Sequence, residues 1–255
     1  CPRMADCPGK GTAHAASREL RGFTVVLESA STPDNAGLRC QFEKVGNQLH
    51  LVSLYNHNTQ CEMLRDPAQA HLFVVEIDGR RYAGNRDFHL RSVGLAGFAG
   101  TDFAGDNAIV AVLELPQPPL IAAFYAKAVR EGIRFTLHLE NNGSAPVDFK
   151  LAFPHLAGLA ISLDPADDYY FFPWGGGIIA DVPAHIRRGY GDHEALYQVM
   201  DLFSPSRGGG LSLRLDDADG WHKTLALRKH LAGRSETDAQ RMSVKTTEAF
   251  QWTTG

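Results

Sequence analysis

The sequence has no basic excess and no long apolar run, and each absence excludes a class of partner. Its 25 Lys and Arg residues are outnumbered by 29 Asp and Glu residues, which gives a formal net charge of −4. A nucleic-acid-binding surface usually needs a basic excess, so no nucleic-acid partner is expected. The longest apolar stretch, residues 120–128, is far shorter than the roughly 20 residues of a transmembrane helix. No membrane span is therefore expected either.

Cysteine is scarce, and its spacing favours no metal site. The four cysteines stand at positions 1, 7, 40 and 61, without any CxxC pair such as zinc sites use. Cys40 alternates with Leu38 and Phe42, so we expect a buried thiol on the apolar face of a strand. A disulfide between Cys40 and Cys61 is the alternative if the chain is exported. Cysteine usage alone leaves the compartment open.

The common catalytic motifs are also missing. The chain contains no GxSxG elbow, no Walker A loop and no HExxH helix. Its glycine triplets at 175–177 and 208–210 lack the lysine and the following helix of a phosphate cradle, so we interpret them as turns. Adjacent residues on a strand point to opposite faces, so Asp192, His193 and Glu194 could share a metal ion only in a loop. We expect no cofactor and no metal.

Short apolar runs between strong turn signals are the main positive feature of the sequence. Turn signals include Gly46-Asn47, Asp78-Gly79 and Asn142-Gly143, and the runs at 133–140 and 211–216 alternate strictly. This pattern predicts an all-β chain with two large antiparallel sheets packed face to face. The predicted strands are residues 23–28, 38–44, 48–55, 71–78, 88–93, 108–115, 120–129, 133–140, 147–153, 196–203, 211–216 and 224–229.

The organisation of the chain follows from the same pattern. Residues 1–18 are small and polar without periodicity, and we expect a flexible lead-in. Residues 19–255 are predicted to form a single β-sandwich domain, with long ordered loops between 154 and 191, where the pattern loosens. The residues expected in or near the core are Leu38, Phe42, Phe135, Leu137, Leu211 and Leu213.

An aromatic stretch at residues 169–177 suggests a contact with sugar or with a neighbouring module. Aromatic rings can pack against the C–H face of a pyranose, although consecutive aromatics also commonly fill a core. The core interpretation is favoured for Phe171 and Phe172. The glycines after Trp174 favour an indole that points outward. The candidate contact residues are Trp174, Tyr190, Asp192, His193, Glu194 and Asp201.

Carboxylates are numerous, but none is assigned a catalytic role. Glycoside hydrolysis requires two of them on opposite sides of the scissile bond. Most of the acids, including Asp216 and Asp217, are explained as turn residues or solvated strand positions. Asp201 is the exception, because Met200 and Leu202 flank it and a buried acid would need a partner.

Several motifs in combination resemble one known module. Segment 54–62, with Asn56 and Thr59, is similar to the family pattern Leu-x-Asn-Lys-x-Thr-Gly-x-Glu. His57 stands where the pattern has lysine, and Gln60 stands where it has glycine. The other matching stretches are 139–142, 153–154, 172–177, 197–203 and 209–213. The chain thus resembles the galactose-mutarotase-like super-sandwich that precedes the catalytic barrel of several glycoside hydrolases.

The resemblance implies a fold and a context more than a reaction. It implies a non-catalytic module that supports an adjoining (β/α)₈ barrel or contacts carbohydrate, is inactive alone, and is favoured to be extracellular or periplasmic. A barrel needs about 250 residues of its own, so 255 residues cannot hold both modules. The alternative is a self-contained carbohydrate-active enzyme, such as an aldose epimerase acting on the concave face of the sandwich.

Overall fold

The computed structural model describes residues 23–29, 37–95, 108–130, 132–190, 194–219, 222–230 and 242–250. Within these ranges the chain forms strands and two 3₁₀ turns, Pro67–Gln69 and Pro165–Asp167, with no α-helix. No helix in the described ranges is long and apolar enough to cross a membrane. The all-β prediction is confirmed; the lead-in at 1–18 lies outside the described residues.

The strands have the following bounds. In chain order they are β1 (Thr24–Glu28), β2 (Leu38–Val45), β3 (Gln48–Asn56), β4 (Cys61–Glu62), β5 (Leu72–Ile77), β6 (Arg80–Ala83), β7 (His89–Leu95), β8 (Ala108–Leu115), β9 (Leu120–Val129), β10 (Gly132–Asn141), β11 (Phe149–Leu159), β12 (Tyr169–Phe172), β13 (Ile178–Ala180), β14 (Ala184–Tyr190), β15 (Val199–Ser204), β16 (Gly209–Arg214), β17 (Lys223–Lys229) and β18 (Met242–Phe250).

The strands form four antiparallel sheets. The first sheet has the order β1-β2-β3-β4, and the second has the order β10-β9-β8-β7. The third is six-stranded, with the order β14-β17-β18-β11-β5-β6, and the fourth has the order β13-β12-β15-β16. Consecutive strands pair mostly as hairpins, whereas β11 brings β5 and β18 together from distant parts of the chain.

The first and second sheets pack face to face around a cluster of aromatic rings. Phe42 of β2 is fully buried, and its ring centroid lies 5.8 Å from that of Phe124 on β9 and 6.3 Å from that of Phe135 on β10. Tilted rings at these separations are favourable beyond their buried area. The other predicted core residues, Leu38, Leu137, Leu211 and Leu213, are partly buried and pack against the hydrophobic core that extends through the described sheets, so the core prediction is confirmed.

The region 154–191 was predicted wrongly as long loops. It contains the end of β11 and all of β12, β13 and β14. The pairing register of β11 shifts between Ala152 and His155, which lets the strand pass through Pro154 although proline has no N–H to donate. Strand β14 carries His185, Arg187 and Arg188, so its sequence looks like a solvated loop. It is an edge strand of the third sheet among the described residues, a position where basic side chains are common.

The motif that carried the family resemblance is a structural turn. The side-chain oxygen of Asn56 accepts hydrogen bonds from the backbone N–H of Asn58 (2.8 Å) and of Thr59 (3.2 Å). Its side-chain nitrogen donates to the backbone oxygen of Gly210, at 2.6 Å. The motif therefore closes the end of β3 and ties the first sheet to the β15–β16 hairpin of the fourth.

Glu62 and Gln60 complete this turn in different ways. The Glu62 carboxylate accepts from the backbone N–H of Leu54 (2.7 Å) and of Leu64 (3.0 Å), which satisfies two donors at the end of the hairpin. Gln60 has φ of 51°, in the left-handed region that favours glycine. Gln60 thus occupies a conformation that glycine adopts more readily, at the position where the family pattern has glycine.

Both described cysteines are free thiols. Cys40 and Cys61 are buried and unlinked, so the structure contains no disulfide between them. Burial raises the pKa of the Cys40 thiol, and the negative charge of Glu62 adds to the rise. Cys40 is therefore the inert buried thiol that its alternation with Leu38 and Phe42 predicted. Cys1 and Cys7 lie outside the described residues.

Candidate contact site

The loop after β12 turns the Trp174 side chain toward solvent. The N–H of Trp174 donates to the carbonyl of Phe172 (2.9 Å), and the N–H of Gly177 donates to the carbonyl of Trp174 (3.0 Å). Gly175, Gly176 and Gly177 have φ of 58°, 98° and 113°, which only glycine adopts without strain. Trp174 is 41% exposed, as the glycines predicted.

Arg188 holds the indole in a defined position. Its guanidinium carbon lies 4.0 Å from the centroid of the Trp174 ring, the geometry of a cation–π contact. The N–H of its Nη1 donates to the carbonyl of Arg187 at 2.8 Å, which orients the guanidinium plane. Arg188 therefore covers one face of the indole and fixes its orientation. The rest of the ring remains exposed to solvent.

The structure brings together the two segments predicted to form the contact. Trp174 forms a β-bridge with Ala195, and Gly175 N–H donates to the carbonyl of Glu194 at 3.3 Å. The Glu194 carboxylate accepts from the N–H of Gly189, also at 3.3 Å, so Glu194 is partly engaged in holding the loop. Asp192 and His193 lie outside the described residues. Trp174 and Glu194 are thus neighbours in one loop cluster.

Tyr190 is partly exposed and also contacts a buried polar network. The amino group of Lys223 lies 4.9 Å from the centroid of the Tyr190 ring, and the Lys223 side chain has no solvent exposure. Lys223 forms an ion pair with Asp217 and donates to Gln198 Oε1 at 3.3 Å. Gln198 also donates to the carbonyl of Asp217 (2.8 Å) and to the Tyr190 hydroxyl (3.4 Å). Tyr190 therefore connects this network to the loop cluster, because it also forms a β-bridge with Ala195.

Asp217 is a turn acid, as predicted, because its Oδ1 accepts from the backbone N–H of Asp219 at 3.1 Å. The network gives it a second role that was not predicted. The Asp217 side chain is only 18% exposed and neutralises a buried cation. This pair could not be predicted from local pattern, because Lys223 stands at the start of a strand, where lysine is usually solvated. The network anchors β17 of the third sheet to the segments that flank β15 and β16 of the fourth.

The fourth sheet has one buried face and one open face. Its inward side chains, Tyr170, Phe172, Met200 and Leu202, are at most 2% exposed. The opposite face carries side chains that are partly or largely exposed: Tyr169, Phe171, Ile179, Val199, Asp201 and Phe203. The core interpretation is therefore confirmed for Phe172, whereas Phe171 lies on the open face.

Asp201 lies within the aromatic part of the open face. It pairs in register with Phe171 on one side and with Ser212 on the other. Two residues further along, Phe203 pairs with Tyr169, and the two rings stack with centroids 5.7 Å apart. Burial by these neighbours raises the pKa of the Asp201 carboxyl, while the backbone N–H of Leu202 opposes the rise.

Burial, and not the charge of a second acid among the described residues, raises the pKa of Asp201. A neighbouring carboxylate would raise the pKa of Asp201 by charge repulsion. Among the described residues no such charge contributes, and burial is the only cause of the rise. The partner that the sequence led us to expect for a buried acid is also not needed, because Asp201 is only partly buried.

The Trp174 loop and the open face are continuous. A Cβ atom at Gly177 would lie 2.5 Å from Cε2 of Phe171, so the loop packs directly on the Phe171 ring. Phe171 in turn pairs with Asp201. We call the exposed part of Trp174 together with this open sheet face the Trp174 surface. Within the described ranges no group of three His, Cys, Asp or Glu residues is placed to hold a metal ion.

Comparisons with known proteins identify the fold. No family model matches the chain. No curated protein sequence matches it either. Among solved structures, the chain is similar to the GH36 alpha-galactosidase AgaA from Geobacillus stearothermophilus, with a TM-score of 0.50 and 11% sequence identity. The chain has the fold of part of a glycoside hydrolase.

The similarity covers only part of the alpha-galactosidase, and this limits what can be concluded from it. The similarity covers 90% of this chain but 38% of the alpha-galactosidase chain. At 11% identity it shows a shared fold and nothing about activity. The glycoside hydrolase relationship in fold that the sequence motifs predicted is thereby confirmed, and the galactose-mutarotase-like assignment remains a prediction.

Proposed function

We propose that the chain is a non-catalytic β-sandwich module of a glycoside hydrolase-type protein. In this proposal residues 19–255 act as one domain that supports an adjoining (β/α)₈ barrel or contacts carbohydrate. The observation that carries the proposal is the Trp174 surface: an exposed indole stacked on Arg188, continuous with an open aromatic sheet face. A fold shared with a fraction of a much longer glycoside hydrolase supports the same context.

An exposed and oriented indole is well suited to recognition. Tryptophan and arginine are enriched among the residues that carry most of the energy of protein contacts. The same flat ring can pack against the C–H face of a sugar. Because Trp174 is held by Arg188 and by the bridge to Ala195, little side-chain freedom is lost when a partner binds.

The carboxylates of the Trp174 surface argue for a non-catalytic role. Hydrolysis of a glycoside needs an acid and a second carboxylate about 5–10 Å away. Asp201 has a raised pKa, but its cause is burial and not a second carboxylate among the described residues. Glu194 is engaged with the backbone of Gly189. We therefore expect the isolated chain to hydrolyse no glycoside.

One observation favours the alternative of a self-contained carbohydrate-active enzyme. A carboxyl with a raised pKa on an open aromatic face could act as a general acid. A panel of aryl glycosides and an aldose-anomer assay separate the two functions. Turnover that Asp201→Asn or Glu194→Gln abolishes would favour the enzyme, and no turnover with any substrate agrees with the module.

Replacing Trp174 tests the proposed contact directly. We expect Trp174→Ala to weaken binding by about 1–3 kcal/mol while changing the melting temperature little, because the ring is 41% exposed. Binding is measured by calorimetry against oligosaccharides and against the barrel encoded next to this segment. Val45→Ala, at a 48% exposed position of the first sheet, is the matched control and should leave binding unchanged.

Two results would contradict this role of Trp174. Unchanged binding in Trp174→Ala would exclude the indole from the contact. A stability loss of about 3–5 kcal/mol would instead show that the ring is a core residue. A gene without any barrel-coding sequence beside this segment would remove the barrel as partner and leave carbohydrate.

A further inference from the structure

A concave site, separate from the Trp174 surface, lies beside the β5–β6 hairpin. It is an open pocket with a volume of about 420 Å³, between the edge strand β6, the segment that leads into β7, and the β8–β9 turn. This volume is within the range of small-molecule sites. The lining residues are Arg80, Tyr82, Arg86, Asp87, His89, Leu115, Pro116 and Gln117.

The only acid of the lining is already engaged. Asp87 accepts from the backbone N–H of Ala83 at 2.7 Å. It also accepts from Arg86 Nε at 3.1 Å and from Arg86 Nη2 at 2.8 Å, a two-bond contact that fixes the guanidinium plane. Arg86 Nη2 further donates to the carbonyl of Arg81 at 3.2 Å. Arg86 is thus held in place while its side chain remains 62% exposed.

Arg80 supplies a second guanidinium with donors to spare. Its guanidinium carbon lies 5.0 Å from the centroid of the Tyr82 ring, which positions it over the floor of the pocket. Among the described residues, none accepts a hydrogen bond from Arg80, so its N–H groups remain available to a ligand. A guanidinium offers paired donors that match the two oxygens of a carboxylate or a phosphate.

The charge balance of the pocket is positive. Arg80 and Arg86 face a single carboxylate, Asp87, and His89 adds a further donor. Glu114, which pairs with His89 across β7 and β8, forms an ion pair with Arg91. Glu114 therefore has a partner of its own. Arg80 also interacts electrostatically with Asp87, so the two arginines share one carboxylate and the lining carries one more positive charge than negative.

The rest of the pocket suits a sugar ring. Tyr82 and Leu115 are 8% and 3% exposed and form an apolar floor. Pro116 and Gln117 form the rim at the β8–β9 turn, where Gln117 offers an amide that can both donate and accept. An apolar floor with a few polar groups at its edge is the usual composition of a small-molecule site.

We propose that this pocket binds a saccharide that carries an anionic group, either a carboxylate or a phosphate. The anion is bound by Arg80 and Arg86, and the sugar ring lies against Tyr82, Leu115 and Pro116. The proposal does not depend on the Trp174 surface or on a catalytic partner. It adds a ligand class to a face of the sandwich that the proposed function leaves unassigned.

Calorimetric titration of the 255-residue chain tests the proposal with four probes. Galacturonate and galactose 6-phosphate carry the two anions, galactose is the neutral analogue, and inorganic phosphate lacks the sugar. We expect at least one anionic sugar to bind at least tenfold more tightly than both galactose and phosphate. Raising the salt concentration should weaken that binding, because the contact is between exposed charges. Galacturonate and galactose 6-phosphate distinguish the two anions.

Two variants locate the binding. Arg80→Gln should weaken the binding of the preferred anionic sugar at least tenfold, and it removes no hydrogen bond to any described residue. Arg214→Gln, at an exposed arginine paired with Asp216, is the matched control and should have no effect. Galactose or phosphate binding as tightly as the anionic sugars would overturn the proposal. So would an unchanged affinity in Arg80→Gln, or the failure of both anionic sugars to bind at about 10 mM.

Discussion

The first and fourth sheets are built from similar alternating strands but use them differently. In the first sheet, Phe42 is enclosed by Phe124 and Phe135 from the second sheet. In the fourth sheet, Tyr169 and Phe203 stack on each other on a face that no described strand covers fully. Alternation therefore predicts that a strand has two different faces, but it does not say whether another layer covers the second one.

The two regions also differ in whether charged side chains are buried between the sheets. Between the first and second sheets the contacts are mainly hydrophobic. Next to the fourth sheet, Lys223 and Lys229 are buried, and Lys229 donates to the carbonyls of Pro165 (2.8 Å) and Asp168 (2.5 Å). The fourth sheet is thus tied to the third by buried cations. Four predictions test this contrast.

The largest difference should appear between two phenylalanines. We expect Phe42→Ala to lower the free energy of unfolding by about 3–5 kcal/mol, because it leaves a cavity between two packed sheets. Phe203→Ala, the matched change on the open face, should cost about 1 kcal/mol or less, since its surroundings are already partly solvated. Denaturant unfolding of both variants measures the difference. Equal losses would mean that the open face is as tightly packed as the core.

Breaking the buried ion pair should be the next largest effect. Lys223→Met leaves the Asp217 carboxylate without its partner, and we expect a loss of about 3 kcal/mol. The double variant Lys223→Met/Asp217→Leu should recover most of that loss, because no uncompensated charge remains. Lys150→Met, at a 64% exposed lysine, is the control and should change stability by about 0.5 kcal/mol at most. A small effect of Lys223→Met would show that water reaches Asp217.

A smaller gain is expected in the turn that joins the two regions. Gln60 has φ of 51° and is exposed, so Gln60→Gly removes backbone strain without removing a packed side chain. We expect thermal unfolding to show a stabilisation of about 0.5–1 kcal/mol. Gln60→Ala keeps the strain and should give no gain. Destabilisation by glycine would mean that the Gln60 side chain makes a contact that stabilises the turn.

The smallest effect should be the pH dependence of Asp201. Burial raises its pKa in the folded protein above the ordinary value of 3.8, so the folded state binds the proton more tightly than the unfolded chain does. Its contribution to stability therefore falls as the pH rises from 3.8 through the folded pKa. We expect Asp201→Asn to increase stability slightly at pH 7 and not at pH 3, as measured by denaturant unfolding. Asp148→Asn, at an exposed position, is the control; a gain confined to pH 3 would reverse the assigned cause.

Sequence reasoning succeeded where the physical signal was local. Strands β8 and β9 begin and end at the predicted residues, because strong apolar runs are bounded by turn residues. The outward position of Trp174 followed from three consecutive glycines, a property of the backbone alone. In both cases the residues that determine the structure are next to it in the chain.

The parts that could not be predicted depend on contacts between distant segments. Strand β14 owes its strand structure to pairing with β17, while its own sequence is basic and polar. The contact between Arg188 and Trp174 could be inferred only once β14 was known to be a strand. In a strand, residues two apart lie on the same face, so Arg188 would then have been placed on the same face as the candidate residue Tyr190. Lys223 and Gln198 are 25 residues apart in the chain, and the local sequence around neither residue predicts their contact.

The hydrogen bond from Asn56 to Gly210 has a consequence for how the protein is made. The two residues are 154 positions apart in the chain. A ribosome that adds about 5–20 residues per second needs roughly 10–30 s to reach Gly210 after Asn56 has been synthesised. During that interval the β3 turn is made, but the hairpin that it anchors does not yet exist. The contact between the first and fourth sheets therefore forms only after more than four fifths of the chain has been synthesised, and a fragment that stops before Gly210 lacks the acceptor of the Asn56 side-chain N–H.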